Sequence, residues 1–194
     1  MTEIEAANIA LAALDIGHQI TTLDDGSTHS SNIRLYMPRA VNDVLVAFDW
    51  SRARKRAVLP ALSDGPAFGG GTAFPVPPDC VRITAIEGDP SYVLERVGSN
   101  MAIVAACGAP LHLFYTSRIT VDQMPEEMAL AVAMRLAYYI AGPSAGKSDR
   151  AGLVLSRYEE ALGKARAAEN HERSARYQKR QGVGIATMPR GARY

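Results

Sequence analysis

Two cysteines, one tryptophan and four histidines are a thin supply of side chains for redox, metal or nucleophilic chemistry in a chain of 194 residues. Cys80 and Cys107 are far apart and lack flanking histidine. That excludes a zinc ribbon and a disulfide scaffold, and predicts free buried thiols in a reducing compartment. His18, His29, His112 and His171 are scattered, no two at metal-ligand spacing. No charge sign dominates, since 21 Lys and Arg meet 20 Asp and Glu. No apolar run reaches the roughly 20 residues of a membrane-spanning helix; the longest, 128–140, is interrupted by Arg135. Glu3 and Glu5 stand where a signal peptide would carry bases, and no cleavage site follows, so no signal peptide is expected. Gly-x-Ser-x-Gly elbows, His-Glu-x-x-His helices and Cys/His pairs are missing. The adjacent acids Glu126-Glu127 and Glu159-Glu160 cannot face one another from neighbouring helix positions. The expectation is no enzyme and no cofactor.

What is present is ordinary globular composition: 47% hydrophobic and 21% charged residues. A chain of this length buries roughly 70% of its unfolded surface, enough for a core without metal or disulfide. The charge is unevenly spread. Residues 1–50 hold seven acids and two bases, net −5, whereas 173–194 hold six bases and no acid. Such a gradient calls for an electrostatic partner for the tail: an acidic protein surface, a nucleic acid or a neighbouring copy. A solubilising tail is the plain alternative.

Apolar spacing predicts a helix over 3–16 (Ile4, Ala7, Leu11, Leu14), stopped by Gly17. A turn cluster, Asp24-Asp25-Gly26-Ser27, precedes a second helix over 32–48, which Pro38 should kink or restart. Trp50 reads as a core anchor where the texture changes. Residues 51–59 look extended, with Arg52, Arg54 and Arg56 on one face. A Gly/Pro-rich loop spans 63–78, followed by strand-like runs at 80–86, 92–97, 101–106 and 111–119. Their regular turn signals predict an antiparallel meander. Pro125, Glu126 and Glu127 open a third helix that is apolar almost all round to Ile140, so it needs neighbours in a bundle or in another subunit. A last helix runs over 149–176 with Leu155, Tyr158, Leu162 and Ala165 on one face, and Gly182, Gly184, Pro189 and Gly191 then break regular structure. The fold class is α+β: a bundle of about four helices (1–50 and 123–176), an inserted antiparallel β domain (51–122) and a flexible basic tail (177–194).

Two motifs invite chemistry. Ala141-Gly-Pro-Ser-Ala-Gly-Lys-Ser148 fits a relaxed phosphate loop, in which backbone amides and a lysine cradle phosphates. That motif needs a buried strand before it, and the segment before it is helical in texture. A helix–helix linker with Ser148 as N-cap is the competing reading. The run Arg52-Ala-Arg-Lys-Arg56 offers Arg52, Arg54, Lys55 and Arg56 to DNA, a channel or an acidic partner; a charge-protected strand edge accounts for it equally well. A nucleic-acid-binding accessory protein is thus a further alternative.

The order of segments resembles the tail tubular protein A-like head-to-tail adaptors of short-tailed phages. The likeness rests on an Ala-Leu-rich helix ending in Leu14-Asp-Ile-Gly17, the link 20–25, and Tyr36…Val44-Leu-Val…Trp50 running into a basic strand ending at Leu59. It continues through Phe74-Pro-Val-Pro-Pro-Asp-Cys-Val-Arg-Ile83, then Phe114-Tyr115, Met124-Pro-Glu-Glu with an Ala-Leu helix, and a long Ala/Arg/Glu helix. It covers roughly residues 3–175; Pro38 and the Gly69–Gly71 triplet depart from it. The resemblance implies a structural virion protein, assembled in the host cytoplasm into a ring of about twelve copies. That ring joins the portal protein to the distal tail (nozzle) protein and extends the DNA channel, with non-specific contact to genomic DNA and no membrane. On this reading Arg173, Arg176, Tyr177, Lys179, Arg180, Arg190, Arg193 and Tyr194 bind the portal.

Overall fold

A computed structural model of the chain describes residues 1–66, 68–142 and 150–185, with side chains of the last helix as far as Ser174. The fold is α+β, with four α-helices and two three-stranded antiparallel sheets. Helices α1 (Glu3–Ala13) and α2 (Thr28–Ala47) precede the six strands, and α3 (Glu126–Ala141) and α4 (Ala151–Ile185) follow them.

Local chemistry fixes the helix ends. Thr2 caps α1 through a reciprocal box: its backbone N–H donates to Glu5 Oε2 at 2.7 Å, and the Glu5 N–H donates to Thr2 Oγ1 at 3.2 Å. The stop is Asp15, not the expected Gly17. Asp15 takes φ 51, and the N–H groups of Asp15 and Ile16 return to the carbonyls of Ala12 and Leu11. That is a Schellman ending built on aspartate, which tolerates the left-handed region better than most residues. Ile20, deeply buried, is held in both directions by the Asn8 side chain. Helix α2 starts earlier than expected because Ser27 accepts from the Ser30 N–H at 3.0 Å. Asp25 accepts from the Ser27 N–H, and hydrogen bonds from Ser30 and Ser27 hold its carboxyl far below the usual range. Pro38 lies on the exposed side within α2, which continues through it.

Helix α3 is the centre of the bundle. Ten of its residues are buried, and α1, α2 and α4 of the same chain all pack against it. The neighbours that its all-round apolar surface demands are therefore intramolecular. Helix α4 buries Val154, Tyr158, Ala161, Leu162 and Ala165. It continues to Ile185, through Gly182 and Gly184, instead of ending near Arg176.

The strands are not a meander. β1 (Arg54–Leu59), β6 (Leu111–Ser117) and β3 (Cys80–Ile86) form one sheet in the order β1-β6-β3. β2 (Thr72–Pro75), β5 (Asn100–Ala105) and β4 (Tyr92–Val97) form the other, in the order β2-β5-β4. Only β4 and β5 pair as chain neighbours, across Gly98-Ser99. Leu59, Ile86, Leu111, Leu113 and Tyr115 of the first sheet share one buried cluster with Phe74, Ile103 and Ala105 of the second. The module is thus a small sandwich. β2 lies inside the stretch read as loop; four residues ending in proline give too short a pattern to stand out in sequence. Both cysteines are unpaired and half-buried, not fully buried.

Candidate functional site

The carbonyl end of α2 is where bundle and sandwich meet. A helix leaves its last carbonyls without partners, and here side chains from three other places supply them. Trp50 Nε1 donates to the Val44 carbonyl at 2.8 Å, Arg82 of β3 to Val46 at 3.1 Å, and Arg166 of α4 to Ala47 at 2.8 Å. Guanidinium groups at this end also oppose the negative pole of the helix dipole. Trp50 is 1% exposed and meets Phe48 edge-on at 5.2 Å. Phe48 in turn lies beneath Arg166 and Arg173, with the guanidinium carbons 5.9 and 5.5 Å from its ring centre.

Arg173 belongs to this joint. It donates to the Asp49 carbonyl, pairs with the Asp49 carboxylate at 3.3 Å, and bonds Glu169 at 3.0 Å. Glu169 is 6% exposed and also accepts from the Ser51 N–H at 3.0 Å. The first of the eight tail residues is thus committed within its own chain. Arg176, Tyr177, Lys179 and Arg180 lie on the last turns of α4, beyond the described side chains. Arg190, Arg193 and Tyr194 lie outside the described residues.

The basic run divides in the same way. The strand starts at Arg54, so Arg52 sits in the preceding turn, not on a common strand face. Arg54 pairs with Asp49, and the Arg56 guanidinium lies 5.0 Å from the Phe114 ring centre. Lys55 reaches Asp79 at 2.6 Å, and Tyr115 donates to the other oxygen of Asp79 at 3.0 Å. The Lys55 bond holds the Asp79 carboxyl below its ordinary value. Burial, then the Asp79 bond, pushes the Tyr115 hydroxyl up to about 12. All four cations are exposed, but Arg54 and Lys55 have carboxylate partners and Arg56 lies on a ring.

Sequence reasoning missed a second charged constellation between α2, α3 and α4. Arg135 Nε bonds Asp43 at 2.7 Å, and its guanidinium lies about 5 Å from the rings of Tyr138, Tyr139 and Tyr158. Tyr139 donates to the same Asp43 oxygen and stacks on Tyr36 at 5.8 Å. Burial is the largest single influence on Arg135 and disfavours its charge, but the Asp43 bond together with the charge interactions of Asp43, Tyr139 and Tyr158 raises the group overall. Burial and the same aspartate raise Tyr139. The visible signal was a lone arginine inside an apolar helix; its partner is 92 residues away.

The His18 and His29 rings lie 5.5 Å apart, tilted by 32°, His18 reaches Asp25 at 3.4 Å, and His112 pairs with Glu87. Among the described residues, no cluster of three His, Cys, Asp or Glu is arranged to hold a metal. A helix, α3, enters Ala141 where a phosphate loop needs a strand. Lys147 and Ser148, with the proposed N-cap, lie outside the described residues. No described helix is long and apolar enough to cross a membrane. Among known proteins, no family model matches the chain, and no curated protein matches it.

Proposed function

We propose that this protein is a structural head-to-tail adaptor of a short-tailed phage, about twelve copies of which form a collar between the portal and the distal tail protein. One observation supports the reading above others: a β module is inserted between the second and third helices of a four-helix bundle, and a long final helix carries the basic run onward. That order is the one the sequence motifs suggested.

The proposed portal contact is narrower than charge alone suggested. Arg173 is held by Asp49 and Glu169, so the docking segment starts beyond it, at Arg176, Tyr177, Lys179 and Arg180, and continues through Arg190, Arg193 and Tyr194. A chain end rich in cations can order on an acidic portal surface. In the channel, Arg52 is the cation of the basic run for contact with passing DNA. Deleting residues 177–194 is expected to leave the melting temperature within a few degrees and abolish binding to the portal of the same phage. Undiminished portal binding by the truncated chain would refute the docking segment.

A further inference from the structure

The two sheets have four outer edges, and three carry a feature that blocks pairing with another strand. β1 presents Arg54, Lys55 and Arg56. β2 is four residues long and ends in Pro75. β3 has register breaks between Cys80 and Arg82 and between Ile83 and Ala85. β4 carries one charge of each sign, Glu95 and Arg96, next to its turn, and has neither a proline nor a register break. It is six residues in unbroken register with β5, and Tyr92, Val93 and Leu94 are 42%, 56% and 50% exposed. No described strand pairs with its outer edge.

The hairpin decides which backbone groups that edge offers. Val97 and Asn100 close a two-residue turn whose first position, Gly98, takes φ 61. The closing pair of such a turn is hydrogen-bonded, and bonded pairs alternate along the ladder. Val97, Glu95 and Val93 therefore bond β5, and the Ser91 carbonyl continues the series by accepting from the Ala106 N–H at 3.1 Å. Tyr92, Leu94 and Arg96 are left with N–H and C=O directed outward. Their side chains share the face of Ala105, Ile103 and Met101, their register partners. Ile103 and Ala105 belong to the inter-sheet core. Leu94 and Tyr92 extend that apolar layer past the edge of the sandwich.

This edge is complementary to itself. We infer that β4 pairs antiparallel with β4 of a second copy, about a two-fold axis normal to the sheet at Leu94. A two-fold of this kind keeps faces aligned, so it opposes residues of the same face. Leu94 then meets its own counterpart, and Tyr92 meets Arg96 at both ends. All three opposed pairs are those with outward backbone groups, and each exchanges two hydrogen bonds. The leucines join two inter-sheet cores, and each Tyr92 ring takes an Arg96 guanidinium from the other copy. A register centred on Glu95 would set two like charges opposite each other and leave only two hydrogen-bonded pairs, Leu94 with Arg96 at either side, in place of three. The contact is isologous and closes at two copies, so it is not a ring contact. It describes copies outside a collar and does not depend on the adaptor reading.

Amide exchange on the full chain tests this without any variant. Over about a hundredfold rise in concentration, the amides of Tyr92, Leu94 and Arg96 should gain protection, while those of Val93, Glu95 and Val97 stay as they were. Sedimentation of the same samples should show a monomer–dimer equilibrium. Leu94→Lys, at a half-exposed position, should weaken association about tenfold or more by opposing two cations at the axis. Val58→Lys, on exposed β1, should leave it unchanged. Three results would overturn the proposal: a monomer at every concentration, a dimer that survives Leu94→Lys, or protection of the three amides that does not vary with concentration. The last would show that the same chain, or a tightly bound different one, covers the edge.

Discussion

Arg173 shows how far a residue's charge can mislead about its task. Counted along the chain it opens the basic tail; in space it closes the joint between α2 and α4 against Asp49, Glu169 and Phe48. Its Asp49 partner is 124 residues away, and no local spacing rule reaches that far. Arg173→Ala should destabilise the fold by about 2 kcal/mol, because the buried Glu169 keeps only the Ser51 N–H. Denaturant unfolding measures this. The effect should be smaller in the Glu169→Gln background, since the pair is lost only once. A second residue-scale test is acid–base. Asp79 has its folded value lowered by Lys55, so its stabilisation is present above the ordinary carboxylate range and fades as pH falls through the folded value. Tyr115, pushed up to about 12, acts in the opposite sense: its contribution is present below pH 10 and is lost as pH rises toward 12. Asp79→Asn should shift the latest-titrating tyrosine to lower pH in a spectrophotometric titration, and Tyr115→Phe should remove it.

At the scale of elements, Pro38 and Gly163 offer clean tests. Pro38 is exposed inside α2 and withholds an N–H from the helix ladder. Pro38→Ala should stabilise the protein by about 1 kcal/mol or more, less than the roughly 3 kcal/mol interior penalty because proline also restricts the unfolded chain. Gly163 sits within α4 with open space where a Cβ would stand, and Gly163→Ala should add about 0.5–1 kcal/mol. Thermal melting reads both. What the sequence made legible at this scale followed from local chemistry. The apolar pattern marked α1, α3 and most strands, and turn residues marked the β4–β5 hairpin. Helix ends were harder, because a cap is a single hydrogen bond: Ser27 starts α2 and Asp15 stops α1 where periodicity pointed elsewhere. β2 stayed hidden because four residues carry no readable period. The meander expectation failed because strand partners are chosen by burial of a shared face, and β6 pairs with two strands distant in sequence.

For the whole molecule, the insertion of a β module into a helical bundle was readable from the order of textures. How the two parts are fixed together was not. The joint depends on Arg82, Arg166 and Arg173 converging on one helix end, and each looks like an ordinary surface cation in sequence. The bundle also explains α3 without invoking a ring: its apolar surface is covered by α1, α2 and α4. Support for the collar therefore rests on the segment order and the basic chain end, not on an uncovered helix. Free protein can be monomeric or paired through β4 without affecting that reading, since a collar needs only to form on its portal. The most direct measurement is an electron-microscopic image of the full chain mixed with the portal protein of the same phage. The account predicts a ring of about twelve copies seated beneath the portal with their channels aligned. A portal that stays bare at saturating protein would contradict it.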